Sequence, residues 1–301
     1  MTNPKPLVVQ LVGGLGNQLF GYFAGRYLSQ VSGRPVRFDV SQIDRGFTAH
    51  GSSIASLIDE AWIERPSALV QATRRLACVV EVKAKKMPHI HRLIGRILPV
   101  YTSIVVGLDE NLESLWNVNF VRGYFQTFVY ATQTHNAVQE LGLPNPSSWF
   151  SDMRSRAVLE QPVMVHVRRG DYAQLKQEFG LLSADYFKAG IDRARSELQV
   201  PSAAVWVFSD DIEDVKREFA NLADSGFRFI EVPEDSPDAE SMFLMSAGAA
   251  NVISNSTFSW WSAILGGGRL VVAPAKWFRG KEDPQDLIPE SWIRLPSIWK
   301  D

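Results

Sequence analysis

The stretch Pro162–Tyr172 reads P-V-M-V-H-V-R-R-G-D-Y and joins an apolar run to a cluster of ionisable groups. Its first half predicts a buried strand, because most of its side chains are β-branched or flexible and apolar. Arg168 and Arg169 follow and lead into a glycine turn. Ligands of open parallel sheets lie beyond the carboxyl ends of the strands, and the planar fork of arginine suits phosphate. We therefore predict a phosphate-bearing ligand; the alternative, solvated charges at a strand end, is disfavoured by His166 on this apolar strand.

Strands and helices alternate on the C-terminal side of this stretch. The predicted strands lie at 163–168, 204–208, 227–232, 251–254 and 269–273, and the predicted helices at 183–198, 212–222, 239–249 and 256–265. Such alternation predicts a parallel sheet with helices on both faces. Residues 7–12, 18–31 and 35–40 predict a similar strand–helix–strand unit in the first half. Both halves are therefore expected to be Rossmann-like, and the Pro/Gly/Ser-rich stretch at 141–148 places the domain boundary between Gly142 and Gln161.

The composition is that of an ordinary globular protein without a general affinity for nucleic acid. The 301 residues carry a formal net charge of −2, so the binding of an anion has to be local. The single cysteine, Cys78, leaves no intrachain disulfide, which favours a reducing compartment. The N-terminus lacks the apolar core of a signal peptide, and no apolar run approaches the roughly 20 residues of a membrane-spanning helix. We therefore expect a soluble, cytoplasmic protein.

The region from Arg65 to Arg96 has an excess of lysine and arginine, much of it on a helix predicted at 68–86. These positive charges would attract an anionic membrane surface or an anionic acceptor. One interpretation is therefore peripheral contact with the inner face of the cell membrane. The alternative, which we favour at this point, is a solvated helix face.

A glycine-rich turn follows the first predicted strand and reads G-G-L-G-N-Q at 13–18. Glycines at this place allow a ligand or a neighbouring backbone to come close. The dinucleotide-binding fingerprint needs a third glycine, and that position holds Leu19, so the fingerprint is incomplete. Its acidic residue is matched by Asp39, which lies near the expected distance along the sequence. Binding of NAD is therefore disfavoured.

Two further strand ends in the second half carry polar residues. Ser209, Asp210 and Asp211 follow one strand, and a run of small polar residues, Ser254–Thr257, joins another strand to a helix. Hydroxyls and free N–H groups at a helix N-terminus suit an anion, with helix capping as the alternative. Two adjacent carboxylates are a poor metal pair, so we expect an aspartate to accept hydrogen bonds from a base or sugar, with capping as the alternative. Trp260 and Trp261 are adjacent, and one of them is expected to line the cleft.

Three motifs in this order resemble the signature of the glycosyltransferase family 11 α-1,2-fucosyltransferases. They are G-G-L-G-N-Q-L-F at 13–20, H-V-R-R-G-D at 166–171 and S-N-S-T-F-S-W-W at 254–261. The second is shared with α-1,6- and protein O-fucosyltransferases, whereas the third is specific to the α-1,2 group. The likeness extends over nearly the whole chain, and the chain length is similar to that of bacterial members.

The resemblance implies a GT-B-like α/β fold of two Rossmann-like domains with parallel sheets and an interdomain cleft. Residues 1–150 then form the N-terminal domain on the acceptor side, and residues 151–301 the C-terminal domain that binds GDP-β-L-fucose. The implied reaction is an inverting transfer of L-fucose to the 2-hydroxyl of a terminal galactose, without a metal or another cofactor. The implied acceptor is a galactose-terminated glycan, free or lipid-linked, in surface-glycan assembly such as lipopolysaccharide or O-antigen biosynthesis.

The resemblance also implies roles for individual residues. Arg168 holds the β-phosphate, His166 lies against the nucleoside, and Asn17 approaches the donor from the other domain. On chemical grounds a general base is optional and none is identified; Asp171 and Glu178 are candidates, and we favour the alternative that Asp171 orients the arginines. Family members often carry a carboxylate before L-M-S that reads guanine, and here the nearest acid is Glu240. The predicted catalytic residues are Arg168, His166, Asp171 and Asn17; the predicted GDP-fucose-binding residues are Gly14, Gly16, Asn17, Gln18, His166, Arg168, Arg169, Asp210, Asp211, Glu240, Ser254, Asn255, Ser256, Thr257 and Phe258.

Two other functions stay open on sequence grounds. The chain is alternatively a fucosyltransferase of another linkage or a transferase for another GDP-sugar. From a different class, it is a nucleotide-sugar sensor or glycan-binding protein without catalysis. No motif identifies the acceptor or the oligomeric state.

Overall fold

A computed structural model describes residues 5–43, 54–86, 98–114, 118–173, 175–222, 224, 226–284 and 286–300. The chain divides into two compact units: Met1–Pro144 with Pro284–Leu287, and Asn145–Asp283 with Ile288–Asp301. The division after Pro144 falls inside the Pro/Gly/Ser-rich stretch at 141–148. The return of Pro284–Leu287 to the first unit has no counterpart in the sequence prediction.

The described part of the first unit contains a five-stranded parallel sheet in the order β3-β2-β1-β5-β4. Its strands are β1 Leu7–Gln10, β2 Val36–Asp39, β3 Ile63–Glu64, β4 Val100–Thr102 and β5 Phe120–Arg122. Its helices are α1 Leu15–Ser32, α2 Ala68–Lys85, α3 Phe128–Gln133 and α4 His135–Glu140. This order keeps β1 at the centre, so the loop after β1 lies at the middle of the sheet edge.

Helix α1 packs closely on the sheet because glycine replaces larger side chains on its inner face. A Cβ atom added to Gly25 would lie 2.6 Å from the ring of Phe38, which is a clash. The helix ends at Gly33, whose φ of 66° is a left-handed conformation that glycine adopts readily. It begins at Leu15, three residues earlier than predicted, so the second half of the glycine-rich turn belongs to its first turn.

The second unit contains a six-stranded parallel sheet among its described residues, in the order β8-β7-β6-β9-β10-β11. Its strands are β6 Val163–Val167, β7 Val205–Ser209, β8 Phe227–Phe229, β9 Ala250–Val252, β10 Leu270–Pro274 and β11 Ile293–Leu295. Its helices are α5 Ser148–Glu160, α6 Ala184–Leu198, α7 Ile212–Glu218, α8 Asp238–Met245 and α9 Thr257–Leu265. Numbered within the unit, the strands run 3-2-1-4-5-6, the order of a dinucleotide-binding Rossmann fold. The order reverses between β6 and β9, and this is where such sheets open a ligand crevice.

The core of the second unit explains why β6 is apolar on both faces. All five residues of β6 are buried, as expected for a central parallel strand covered on both sides. Tyr186, Phe187 and Ile191 of α6 pack with the valines of β6 in one apolar cluster. The predicted α/β fold of two parallel-sheet units is confirmed.

The prediction that one of Trp260 and Trp261 lines a cleft is wrong, because both are fully buried. Helix α9 is covered on more than one side, so neighbouring positions on it both reach apolar surroundings. Trp260 packs on Trp292 with a centroid distance of 5.7 Å, and Trp261 meets Trp260 edge to face.

Among the described residues, none of the helices combines the length and the apolar composition required to traverse a lipid bilayer.

Candidate active site

His166 and Ser254 meet where the strand order of the second unit reverses. His166 lies on β6, and Ser254 lies two residues beyond β9, the adjacent strand. The Nδ1 atom of His166 is 3.0 Å from the Oγ atom of Ser254. The ring of Phe258, at the start of α9, is 5.6 Å from the His166 ring. The carboxyl ends of parallel strands share one sheet edge, which explains why these two strand ends meet.

His166 is a neutral base in the folded chain. Burial lowers its pKa from the ordinary 6.5 to about 3, and the nearby Arg168 cation adds to this effect. A neutral imidazole has one donor and one acceptor nitrogen, and Ser254 engages one of them. The positive charge at this sheet edge therefore resides on Arg168 and not on His166.

The burial of neutral His166 predicts a loss of stability in acid. Between pH about 6.5 and about 3, the unfolded chain holds a proton on this residue that the folded chain lacks. The free energy of unfolding should therefore fall as the pH is lowered through this window, by up to about 1.4 kcal/mol per pH unit from His166. Urea unfolding at several pH values, for the parent chain and for His166→Gln, measures it. Equal slopes in the two proteins would show that His166 is not held neutral.

Arg168 is fixed at the carboxyl edge of the sheet by groups from two elements. Its Nη1 atom lies 3.1 Å from Oδ2 of Asp210, which follows β7, and its guanidinium lies over the ring of Tyr172 at 5.3 Å. The Oδ1 atom of Asp210 accepts the backbone N–H of Arg169 at 2.8 Å. Gly170 is required here, because a Cβ atom on it would clash with the Asp210 carboxylate. A positioned cation that stays 17% exposed is suited to stabilise a charge that develops on a ligand.

Arg169 faces the opposite way and is buried. Its Nε and Nη2 atoms donate to Oε2 of Glu218 on α7, at 3.2 and 2.8 Å, and Asp214 lies 3.9 Å away. The structure therefore assigns Arg169 to the ion pair that joins β6 to α7. Its guanidinium is bonded to carboxylates of its own unit, and its contact with the donor stays a prediction.

The polar run between β9 and α9 is used largely inside the protein. Ser256 caps α9 by accepting the Phe258 N–H, and Asn255 donates from its amide nitrogen to three backbone carbonyls. Those carbonyls belong to Phe179, Gly180 and Trp277. Both residues are buried, whereas Thr257 and Phe258 are partly exposed. The geometry gives Asn255 and Ser256 structural roles and leaves Thr257 and Phe258 partly exposed. Donor contacts by these four residues stay predictions.

Two carboxylates that were predicted to contact the donor, those of Asp211 and Glu240, accept hydrogen bonds within the protein. Asp211 is the N-cap of α7 and accepts the Asp214 N–H at 3.0 Å, which is the capping alternative. Glu240 is buried, and its two oxygens accept the backbone N–H and the hydroxyl of Ser147 at 2.6 and 2.7 Å. It therefore anchors the N-terminus of α5, and its contact with guanine stays a prediction.

The two candidate general bases, Asp171 and Glu178, lie in different surroundings. Asp171 lies in the single helical turn Gly170–Ala173, but its side chain lies outside the described residues, so its role stays a prediction. Glu178 forms an exposed ion pair with Lys281 at 2.5 Å. Among the described residues there is no cluster of histidine, cysteine and acidic side chains arranged to hold a metal ion.

The glycine-rich turn of the first unit is held by a buried glutamine. Gln18 donates to the Gly13 carbonyl at 2.9 Å and accepts the Ile54 N–H at 2.9 Å. Gly13 has a φ of 72°, and Gly14 is the N-cap of α1 without a side-chain cap. A Cβ atom at Gly14 would meet nothing within 4 Å, so the N-cap position of α1 is open. Gln18 has a structural role in this turn, and the donor contacts of Gly14, Gly16 and Gln18 stay predictions.

Gln126 is a residue of interest that sequence reasoning missed. Its Nε2 atom donates to Oδ1 of Asn17 at 2.8 Å, so it orients that side chain. Gln126 is only 8% exposed, and its Oε1 atom is buried without a hydrogen-bond partner among the described residues. Phe125 before it has a φ of 54°, a strained conformation for a non-glycine residue. A buried acceptor of this kind is normally satisfied, so a water molecule or a ligand donor would fit here.

The chain matches Glycosyl transferase family 11 over residues 102–295. It belongs to this family. A curated relative, the alpha-1,2-colitosyltransferase of Escherichia coli, is 27% identical over 300 residues, which covers 96% of this chain and 98% of that protein. The O-antigen biosynthesis glycosyltransferase WbnK of Escherichia coli is 37% identical over 136 residues, or 44% of this chain and 43% of that protein.

Solved structures support the fold of this family 11 glycosyltransferase. A mutant of FUT1 from Arabidopsis thaliana in complex with GDP superposes with a TM-score of 0.51, over 95% of this chain and 74% of that one. The sequence identity is 14%, so this likeness concerns the fold alone. The predicted GT-B-like class is confirmed.

In this family 11 glycosyltransferase, eleven of the predicted site residues fall into two groups. Those brought together at one sheet edge of the second unit are His166, Arg168, Asp210, Ser254 and Phe258. Those committed to the fold are Gln18, Arg169, Asp211, Glu240, Asn255 and Ser256. The first group combines one positioned cation with a neutral imidazole and a hydroxyl, which suits an anionic leaving group.

Proposed function

We propose that this glycosyltransferase is an inverting α-1,2-fucosyltransferase. It moves L-fucose from GDP-β-L-fucose to the 2-hydroxyl of a terminal galactose, without a metal ion. Membership of family 11 supports glycosyl transfer, and similarity to an alpha-1,2-colitosyltransferase supports the linkage. The observation that carries the proposal is the Arg168 guanidinium, fixed by Asp210 and Tyr172 at the edge where the strand order reverses.

The chemistry needs a stabilised leaving group above all. The bond between the anomeric carbon and the β-phosphate oxygen breaks, and GDP leaves with both electrons of that bond. The acceptor hydroxyl forms the new bond from the opposite face and releases its proton, so a β-linked donor gives an α-linked product. A fixed guanidinium stabilises the charge that develops on the diphosphate, and it needs no reorganisation at the moment of reaction. Arg168 is the residue we assign to this task.

His166 and Ser254 have a supporting role in this proposal. Because His166 is neutral, it adds no second cation and can pack against an uncharged part of the donor. Ser254 sets the orientation of the ring. Together they would fix where the nucleoside lies relative to Arg168.

A second candidate function differs only in the transferred sugar. The relative that matches almost the full length of this chain is a colitosyltransferase, and colitose is L-fucose without its 3-hydroxyl group. Transfer of colitose would use the same leaving-group chemistry at Arg168. The two candidates differ in whether the protein hydrogen-bonds the 3-hydroxyl of the donor sugar.

A competition between donors tests both candidates. The purified chain is incubated with GDP-L-fucose or GDP-L-colitose and with β-galactoside acceptors, and GDP release and product linkage are measured by NMR. We expect GDP-L-fucose to give an α-1,2-linked product with a higher kcat/KM than GDP-L-colitose. A preference for GDP-L-colitose would favour the second candidate. Binding of GDP-L-fucose without GDP release would indicate a sensor, and thermal stabilisation by UDP but not by GDP would refute the donor class.

The acceptor class rests on a coarser similarity. The relative WbnK is an O-antigen biosynthesis glycosyltransferase, which supports a glycan acceptor for this chain. We propose a galactose-terminated glycan, free or lipid-linked, and screening of acceptors with linkage analysis identifies it.

A further inference from the structure

Three charged residues of helix α2, Arg74, Glu81 and Lys85, lie on the side that faces the sheet. Glu81 is almost fully buried, pairs with Lys85 at 3.1 Å and accepts the Thr102 N–H at 3.2 Å. Arg74 bridges Asp39 and Glu64, at 2.9 and 2.7 Å. The charges on the inner face of α2 are therefore satisfied within the first unit.

The outer face of the same helix is apolar. Leu69 is 77% exposed, Leu76 is 65% exposed, and Val79 is exposed as well. Residues spaced by seven and three positions lie along one side of an α-helix, so these three form a stripe. A helix of a globular protein normally turns such a stripe toward the core. In α2 the small residues Ala77, Cys78 and Ala84 are buried, and the stripe of larger apolar side chains is exposed on the other side of the helix.

The charges beside this stripe have one sign. Arg75, Lys83 and Lys86 are exposed, whereas the acid of this helix, Glu81, is buried. Helix α6 provides a comparison with a solvent-exposed helix face. Its exposed Lys188 and Arg193 pair with acidic residues four positions later, Asp192 and Glu197. The outer face of α2 combines apolar and cationic side chains without an exposed acid, so solvation alone does not explain it.

We propose that this face docks on an anionic lipid bilayer surface. The docking face consists of Leu69, Arg75, Leu76, Val79, Lys83 and Lys86. An apolar stripe flanked by lysine and arginine suits the interface of an acidic membrane, where the apolar side chains enter the headgroup region and the cations meet lipid phosphates. A second copy of the chain fits less well, since an isologous contact would set these cations against each other. The proposal does not depend on the donor assigned to the enzyme.

Vesicle binding tests the proposal directly. The full chain is sedimented with vesicles of phosphatidylcholine containing about one third phosphatidylglycerol, and with vesicles of phosphatidylcholine alone, in the absence of any sugar nucleotide. We expect binding to the anionic vesicles that weakens with salt and is much lower for the neutral vesicles. Replacing Arg75, Lys83 and Lys86 by glutamine should lower the partition coefficient about fivefold per cation, so on the order of a hundredfold together. Replacing Leu69 and Leu76 by serine should lower it on the order of tenfold per leucine.

The matched control is Leu159→Ser on helix α5. Leu159 is 85% exposed, compared with 77% for Leu69 and 65% for Leu76. This variant should bind vesicles like the parent chain, and circular dichroism should show all variants folded. Equal vesicle binding by the parent chain and the α2 variants would overturn the proposal, as would an absence of binding to anionic vesicles. A concentration-dependent dimer that Leu69→Ser and Leu76→Ser abolish, without vesicle binding, would assign the face to a second copy instead. Transferase activity on a soluble acceptor should be unchanged in every variant.

Discussion

Arg168→Ala is expected to lower kcat for sugar transfer by about 10²–10³ and to leave the fold intact. The side chain is partly exposed at the sheet edge, and it contributes no apolar packing to the core cluster of the second unit. Its loss removes the cation that would meet the developing charge of the leaving diphosphate. Asp210 keeps its hydrogen bond from the Arg169 N–H, so the turn after β6 retains one of its anchors. Steady-state kinetics with GDP-L-fucose and a galactoside, together with circular dichroism and thermal melting, measure the effect.

Two further variants separate the guanidinium from its position. Arg168→Lys keeps the charge but loses the planar fork, so most of the decrease in kcat should remain. Asp210→Asn keeps an acceptor for the Arg169 N–H but weakens the hold on Arg168, so we expect a smaller decrease. Near-normal turnover by folded Arg168→Ala would show that another group stabilises the leaving group.

The strand ends that form the candidate site follow from the sequence, because parallel strands end at one edge of their sheet. The alternation of apolar runs with helical segments identified β6, β7 and β9, and the strand order then brought His166, Asp210 and Ser254 together. The family motifs added the assignment of Arg168. The predictions of strands and of their order along the chain succeed because they depend on local patterns of apolar residues.

The roles of neighbouring residues did not follow from the sequence, because they depend on distant partners. Glu240 is occupied by Ser147, which lies 93 positions away along the chain. Arg168 and Arg169 are both arginines, so the sequence alone does not separate their roles. The carboxylates that they contact, Asp210 and Glu218, do separate them. The sequence did not indicate the contact of Gln126 with Asn17, because Gln126 follows Phe125, whose positive φ is not indicated by the residue types. The apolar stripe of helix α2 would by itself predict that Leu69 and Leu76 meet the sheet, whereas the structure exposes both of them.

Arg169→Met should destabilise the protein where Arg168→Ala does not. The substitution leaves the Glu218 carboxylate largely buried beside Asp214, without the guanidinium that now donates two hydrogen bonds to it. Breaking a buried ion pair on one side typically costs about 3–5 kcal/mol. Lys300 lies 3.0 Å from the same Glu218 oxygen and would compensate in part, so we expect about 3 kcal/mol. Urea unfolding measures this loss, and transfer activity per folded molecule should change little.

The double variant Arg169→Met with Glu218→Met tells whether the loss comes from the stranded carboxylate. If it does, removing both charges should recover much of the stability, because an apolar pair of similar volume often replaces a buried ion pair without loss. If the double variant is as unstable as the sum of the single variants, the ion pair is not the source of the effect. A normal melting temperature for Arg169→Met combined with lost transfer would reverse the assignment and give Arg169 the contact with the donor. The two adjacent arginines thus predict opposite results, one in kcat and the other in the free energy of unfolding, because Asp210 holds Arg168 at the accessible sheet edge and Glu218 holds Arg169 in the interior.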